Sequence, residues 1–335
     1  MKNKLQIIAE AGVNHNGSLK IAKKLIDAAK KANVDFIKFQ TYNVDSLIIK
    51  NTKKAKYQNK NDKTINQYDM LKKLQLSKKD FEILYNYTIK KGINFLSSPF
   101  DIESIFFLKK LGLKYIKIPS GEITNYPYLR EIAKNKFNVI MSTGMSNFKE
   151  IKDCIKILNR FGTPNKNISV LYCVSSYPTL PEEINFNTLK KIKSTFKVNV
   201  GFSDHTLGSD IAPVSLFYGS NIIEKHFTLN KNMKGPDHRF SLQEDELIEF
   251  VKRLRKTENI LINNNNVKAK KELINKDFVR KSIVANTDIK VGDKFTEKNL
   301  TTKRPGIGIN PMKWNNVIGQ KSKYNFKKNE IIRIK

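Results

Sequence analysis

Up to about residue 262 the chain alternates between two textures. Short runs rich in β-branched and aromatic residues read as strands over 5–12, 36–42, 93–100, 114–122, 138–144, 168–178, 198–206 and 221–229. Each is followed by a segment with apolar residues at helical spacing. The first repeats Ile21, Leu25, Ala28 and Ala32; the last repeats Leu247, Val251, Leu254 and Leu261. Helix starts are marked as well: Ser77 with Asp80 and Ser241 with Glu244 resemble capping boxes, and Asp101 stands where it can cap the third helix. Eight strand-then-helix units in about 260 residues match a (β/α)8 barrel. An open doubly wound sheet is the alternative, but no GxGxxG follows the first strand. The pattern predicts a TIM barrel over residues 1–262.

The alternation stops at the four asparagines 263–266. With the polar KAKKELINKD that follows, they predict a linker over 263–280. Beyond it, short strand-like runs with turns around Gly292 and Gly306 predict a small β-rich domain over 281–335, scarcely large enough for its own core. The stretch from Asn43 to Leu76 is too long for an ordinary βα loop and is expected to form a lid or substrate wall.

Composition narrows the class. With 39% hydrophobic residues the chain is too apolar for disorder, and no apolar run approaches the ~20 residues needed to cross a bilayer. Glu10 interrupts the N-terminal apolar stretch, which therefore does not read as a secretory leader. Two cysteines, Cys154 and Cys173, exclude a disulfide scaffold and a four-cysteine zinc site, and both read as packing residues. A soluble, cytoplasmic protein is expected. Lys and Arg outnumber Asp and Glu by 62 to 31, for a formal net charge of +31. The lysines are scattered, arginine is scarce and no nucleic-acid motif is present, so neither nucleic acid nor membrane is expected as a partner. The positive field would instead steer an anionic small molecule.

In such a barrel the chemistry lies at the C-terminal ends of the strands. All four histidines, His15, His205, His226 and His238, fall there. His205 and His226 follow adjacent strands, so both imidazoles can converge on one ion. Two imidazoles with oxygen donors and no thiolate suit Mn²⁺, Mg²⁺ or Fe²⁺ better than structural zinc. Lys38 and Lys117 alternate with apolar neighbours, which points them into the barrel. A buried lysine needs an anion or loses its proton. The two form either a clamp for phosphate or carboxylate, or a Schiff-base site. The hydroxyls of Ser98, Ser120, Ser175 and Ser203 at neighbouring strand ends favour the clamp.

The segments AEAGVNHNGS, IKFQTY, SSPFD, KIPSGE, STGM, SSYPT, GFSDHT, EKHFTL, MKGPDH and KRPG, in this order from residue 5 onward, resemble the sialic acid synthase family. The resemblance implies a (β/α)8 barrel followed by an antifreeze-like (SAF) domain. It implies condensation of phosphoenolpyruvate with an open-chain N-acetylated amino sugar, giving a nine-carbon keto acid and phosphate. A divalent metal is implied, Mn²⁺ foremost with Mg²⁺ or Co²⁺ as alternatives, and so is a domain-swapped homodimer. Carried over position by position, His205 and His226 are the metal ligands, and Lys38, Ser98, Lys117, Ser120, Ser175 and Ser203 bind phosphoenolpyruvate. Glu10, Gln40, Tyr177 and Asp237 are sugar contacts, and Arg304 reaches the N-acetyl group from the partner subunit. Glu122 matches the acidic group near the metal-bound water, and with Glu10, Lys38 and Lys117 it makes up the implied catalytic set. Ser175 departs from the asparagine of some members, and Leu180 from a common proline. The leading implied activity is N-acetylneuraminate synthase, acting on N-acetylmannosamine. N,N'-diacetyllegionaminate synthase, acting on 2,4-diacetamido-2,4,6-trideoxymannose, is the alternative; a Schiff-base aldolase and a non-catalytic sugar-binding barrel are more remote. The SGE and GPDH segments argue against the pseudaminate branch.

Overall fold

A computed structural model describes residues 4–54, 64–262 and 270–334. The chain divides into two units, 1–263 and 264–335. In the first, eight strands run in parallel: β1 Gln6–Gly12, β2 Phe36–Thr41, β3 Asn94–Pro99, β4 Tyr115–Ile118, β5 Asn138–Ser142, β6 Ile168–Tyr172, β7 Asn199–Asp204 and β8 Ile222–His226. Every predicted strand range contains one of them. β1 pairs with both β2 and β8, and the order β3-β2-β1-β8-β7-β6-β5-β4 closes where β4 packs beside β3. The largest shortfalls are in β4, which stops before Pro119, where Ser120–Glu122 form a single 3₁₀ turn, and in β6, which stops at Tyr172.

Alternation along the strands sorts their side chains into layers. Facing inward near the barrel floor, Ile8, Phe36, Leu96, Ile140, Leu171 and Ile222 form one buried cluster, joined by Tyr115. Two residues further along each strand the inward positions turn polar: Glu10, Lys38, Ser98, Lys117, Ser142, Cys173 and Glu224. On β7 the floor position is Gly201, where a Cβ would lie 2.4 Å from both the Ile222 carbonyl oxygen and Leu171, and the polar position is Ser203. The intervening residues, such as Ile7, Ala9, Ile37 and Phe39, point outward into the main core beneath the helices.

Helix starts follow the local chemistry. Ser77 and Asp80 form the expected capping box for Lys78–Lys90, and Asp101 caps Ile102–Lys110. The box expected from Ser241 and Glu244 does not form. Glu246 accepts from the Gln243 amide at 2.7 Å, because the Ser241 hydroxyl is already engaged with Asp237 and Asn14. Among its described residues the long connection after β2 carries two short helices, Val44–Leu47 and Gln67–Leu74. They share a satellite core of Val13, Tyr42, Val44, Met70 and Leu74.

In the second unit, a helix at Lys270–Val279 occupies part of the span expected to be a linker. KKELINKDFV contains neither Gly nor Pro and is dominated by good helix formers, which outweighs its polarity. The asparagine tract lies outside the described residues. β9 Ser282–Ala285 pairs antiparallel with β10 Leu300–Lys303 over a core that includes Ile283, Phe295, Leu300 and Phe326. Arg304 follows β10 and is exposed. Among the described residues no helix is long and apolar enough to cross a membrane.

Candidate active site

The polar layer of the barrel forms the floor of a cavity of about 680 Å³. At its centre Glu224 bridges the two lysines. Lys38 Nζ lies 3.1 Å from Glu224 Oε2 and 3.4 Å from Glu10 Oε2, and Lys117 Nζ lies 3.2 Å from Glu224 Oε1. Lys117 also donates to Ser142 Oγ at 2.7 Å, and Ser203 Oγ donates to Glu224 Oε1 at 3.1 Å. All four charged side chains are at most 5% exposed. Burial disfavours the charge on each of them, and the pairing opposes that effect. At Glu224 burial opposes the charge, but Lys117 and Lys38 override it and hold the carboxyl far below its usual range. At Lys38 burial is likewise overridden, by Glu10 and Glu224, and its pKa rises. At Lys117 burial prevails and the pKa falls. Burial pushes Glu10 up to about 7, which leaves it able to take or give a proton near neutral pH.

Hydroxyls ring this charged floor. Ser98, Ser120, Ser142, Ser175 and Ser203 all line the cavity, and the buried Ser98 Oγ has no partner among the described residues. Ser120 Oγ accepts from the Gly144 amide at 2.9 Å and touches Cys173 Sγ at 3.4 Å. A Cβ on Gly144 would stand 2.1 Å from Ser175 Oγ, so the absent side chain is what lets these hydroxyls gather. Cys173 therefore belongs to the cavity rather than to packing alone. Cys154 is buried against Met141, as expected of a core residue.

His205 and His226 stand side by side above the floor, ring centroids 5.8 Å apart, with Tyr177 against both. The Val174 carbonyl holds His205 Nδ1 at 2.7 Å, which fixes that nitrogen as the N–H and leaves Nε2 as the lone-pair atom. Such a carbonyl contact is the usual device for orienting a metal-ligating imidazole. Nδ1 of His226 is buried with no partner among the described residues. Burial keeps both rings neutral, the form that binds metal: His205 falls to about 4 and His226 further below its ordinary value. Two neutral, partly unsatisfied imidazoles fit a divalent ion. Among the described residues no third His, Cys, Asp or Glu joins them, so further ligands would have to be water or substrate oxygens.

The other two histidines do different work. His238 sits between Thr228 Oγ1 at 2.7 Å and Asn16 Oδ1 at 3.0 Å, and His15 Nδ1 accepts from the Gly17 amide at 3.1 Å. Asn16 donates to the Lys234 carbonyl, and Asn14 to the Phe227 carbonyl and Ser241. The NHNG loop thus clasps the MKGPDH loop and sets Pro236 and Asp237 at the cavity wall. Burial raises the Asp237 carboxyl to about 7. Gln40 lines the cavity and donates to Glu10 at 3.3 Å. Glu122 does not line the cavity; it is half-buried on its 3₁₀ turn and accepts from Asn125 at 2.6 Å. Asp204, a strand-end residue on β7, points outward and pairs with buried Lys225 at 2.8 Å. Glu224 is assigned no role in the site by sequence reasoning. It stands two positions before His226 and two after the floor residue Ile222, so strand alternation alone marks it as inward-facing.

Known proteins share this arrangement of segments. The NeuB family model matches residues 25–266, and the SAF domain model matches residues 280–335. The chain belongs to the NeuB family. It is 45% identical to the N,N'-diacetyllegionaminic acid synthase of Campylobacter jejuni, over 98% of this chain and 99% of that protein. It is 39% identical to the Legionella pneumophila protein of the same name, over 95% and 90% of the two chains. Among solved structures, the N-acetylneuraminic acid (sialic acid) synthetase of Leptospira borgpetersenii, in complex with citrate, superposes with a TM-score of 0.71. That match has 31% identity and covers 82% of this chain and 90% of the other. The barrel-plus-SAF architecture implied by the sequence motifs is the architecture found.

Proposed function

We propose that this protein is a phosphoenolpyruvate-dependent nonulosonic acid synthase whose acceptor is 2,4-diacetamido-2,4,6-trideoxymannose, that is, an N,N'-diacetyllegionaminate synthase. The acceptor replaces the N-acetylmannosamine of the leading sequence-based reading, because the full-length relatives at 45% and 39% identity carry the legionaminic name. The observation that carries the chemistry is the pair of buried lysines, Lys38 and Lys117, ringed by hydroxyls at the floor of the cavity. That is an anion site with room for a second, uncharged reactant.

In this reading the phosphate and carboxylate of phosphoenolpyruvate take the ammonium groups of Lys38 and Lys117 and the hydroxyls of Ser98, Ser120, Ser175 and Ser203. Gln40, Tyr177 and Asp237 hold the open-chain sugar with its aldehyde against the methylene carbon of the enol. A divalent cation, Mn²⁺ foremost, would be held by His205 and His226 and would supply Lewis acidity to the aldehyde oxygen. The carbon–carbon bond forms between that methylene and the aldehyde carbon, and water adds at the former enol carbon. Glu10, poised near neutrality, takes a proton from that water in place of Glu122, which stands outside the cavity lining. The tetrahedral adduct then expels phosphate by breaking its bond to carbon. Lys38 and Lys117 contribute orientation and charge stabilisation throughout. A homodimer in which Arg304 of one copy serves the sugar site of the other belongs to the same proposal. Mass in solution and the sugar KM of Arg304→Ala test that part.

The overall test is phosphate release from phosphoenolpyruvate with each candidate sugar, with and without a chelator, together with the mass of the product. The expected result is chelator-sensitive phosphate release with a nine-carbon diacetamido keto acid. No phosphate release with either sugar would remove the proposal.

A further inference from the structure

The cavity has two chemically distinct sides. Every strand-borne side chain on its floor carries a polar or ionisable atom, whereas the side built by the described residues 43–54 and 64–76 presents Leu47, Ile48, Met70 and Leu71. Leu47, Ile48 and Leu71 are only half-buried, so part of their hydrocarbon surface faces the cavity. Behind them the satellite core fixes the wall, with Met70 1% exposed. Cross-ties hold its two short helices together. Tyr42 Oη donates to the Leu71 carbonyl at 3.1 Å, the Val44 amide donates to Gln75 at 3.0 Å, and Tyr68 Oη donates to Asp45 at 2.5 Å. The wall is also seated directly on the NHNG loop. A Cβ on Gly17, whose φ is +71°, would lie 2.4 Å from the Lys73 carbonyl oxygen. Two polar residues of the same connection, Thr52 and Gln67, break the apolar run.

We propose that this wall selects the acceptor by its far end: the hydrocarbon of Leu47, Ile48, Met70 and Leu71 receives the C6 methyl and the C4 acetamido methyl of a 6-deoxy diacetamido sugar, with Gln67 meeting the acetamido group. The inference rests on the functional reading above. The anion clamp and the two imidazoles fix the reacting carbons at the floor, so the remainder of an open-chain sugar extends toward this side. N-acetylmannosamine would place hydroxyl groups against the same hydrocarbon and leave the methyl pockets unfilled. Discrimination from such contacts is about 10- to 100-fold in kcat/KM, the range of one or two apolar groups in a pocket.

The experiment compares kcat/KM for the two sugars at saturating phosphoenolpyruvate in the wild type, Ile48→Thr, Leu71→Asn and the conservative Leu71→Met. The wild type is expected to favour the diacetamido sugar. Leu71→Asn and Ile48→Thr should each lower that preference about tenfold, with the KM for phosphoenolpyruvate unchanged, and Leu71→Met should keep it. If Leu71→Asn does not fold, Ile48→Thr carries the comparison. A preference that stays constant across the variants overturns the selecting wall while leaving the synthase reading intact. A wild type that turns over both sugars but favours N-acetylmannosamine overturns the selecting wall and the acceptor assignment together, leaving only the condensation chemistry. A wild type that consumes phosphoenolpyruvate with neither sugar removes the functional reading, and this inference with it.

Discussion

Replacing Glu224 by glutamine removes one negative charge from between two buried ammonium groups and leaves the side-chain volume almost unchanged. The contacts at stake are 3.1 Å to Lys38 and 3.2 Å to Lys117. At an effective dielectric constant of about 20, each is worth ~5 kcal/mol of Coulomb attraction, most of which offsets desolvation. Breaking a buried pair by removing one member costs ~3–5 kcal/mol, because the surviving charges stay buried without compensation. Glutamine can still accept a hydrogen bond from Lys117 or Ser203, which places the expected loss near the lower figure, about 3 kcal/mol. For a domain of this size that corresponds to a melting midpoint roughly 6–12 °C lower. The assay is thermal unfolding followed by far-ultraviolet circular dichroism at low ionic strength, with and without inorganic phosphate. An anion that reaches the two lysines substitutes for the missing carboxylate, so phosphate should raise the midpoint more in Glu224→Gln than in the wild type. A variant melting within about 2 °C of the wild type, or an equal response to phosphate in both proteins, would refute the claim that Glu224 holds the clamp together.

Gly144→Ala should displace the Ser175 hydroxyl and raise the KM for phosphoenolpyruvate about tenfold through loss of a hydrogen bond to a charged group, with the circular dichroism spectrum unchanged. An unchanged KM would show that these hydroxyls do not touch this substrate. His205→Ala and His226→Ala should each abolish turnover and also the heat of Mn²⁺ binding in calorimetric titration; a variant that still binds Mn²⁺ as the wild type does would remove that ligand assignment. Asp237, with its folded pKa raised to about 7 by burial, holds a proton in the folded state that the unfolded chain releases at lower pH. Its contribution to stability is therefore favourable below that value and is lost as pH rises through it. Asp237→Asn should accordingly gain stability relative to the wild type at pH 8, with a smaller gain at pH 5. Equal differences at the two pH values would contradict a buried, proton-holding Asp237.

Strand periodicity made the barrel legible, and it also contained more of the site than residue type alone revealed. Ile222 and Leu171 were readable as buried strand residues, and two positions on from them stand Glu224 and Cys173, both facing the cavity. Neither announced itself, because a carboxylate becomes a clamp partner only when the closed sheet brings Lys38 and Lys117 across to it. The capping box at Ser241 failed for a similar reason: its competing partner Asn14 is 227 residues away in sequence. The four rim histidines were rightly placed at one end of the barrel, but hydrogen bonding to Asn16 and Thr228 separates His238 from the pair at the cavity, and no spacing rule expresses that. Polarity argued for a linker over 263–280, while the helical propensity of KKELINKDFV decided its second half. The choice of acceptor depends on the far end of the sugar, which meets a connection whose fold strand and helix patterns scarcely specify.

The central claim is that phosphoenolpyruvate is joined through its methylene carbon to an acetamido sugar in this cavity and loses phosphate from carbon. The most direct measurement uses phosphoenolpyruvate labelled with ¹⁸O at the bridging oxygen, turned over with 2,4-diacetamido-2,4,6-trideoxymannose and Mn²⁺, and follows the label by mass spectrometry. The account requires the label in the released phosphate and an unlabelled nine-carbon keto acid. Label retained in the keto acid, or pyruvate formed with the sugar untouched, would contradict it.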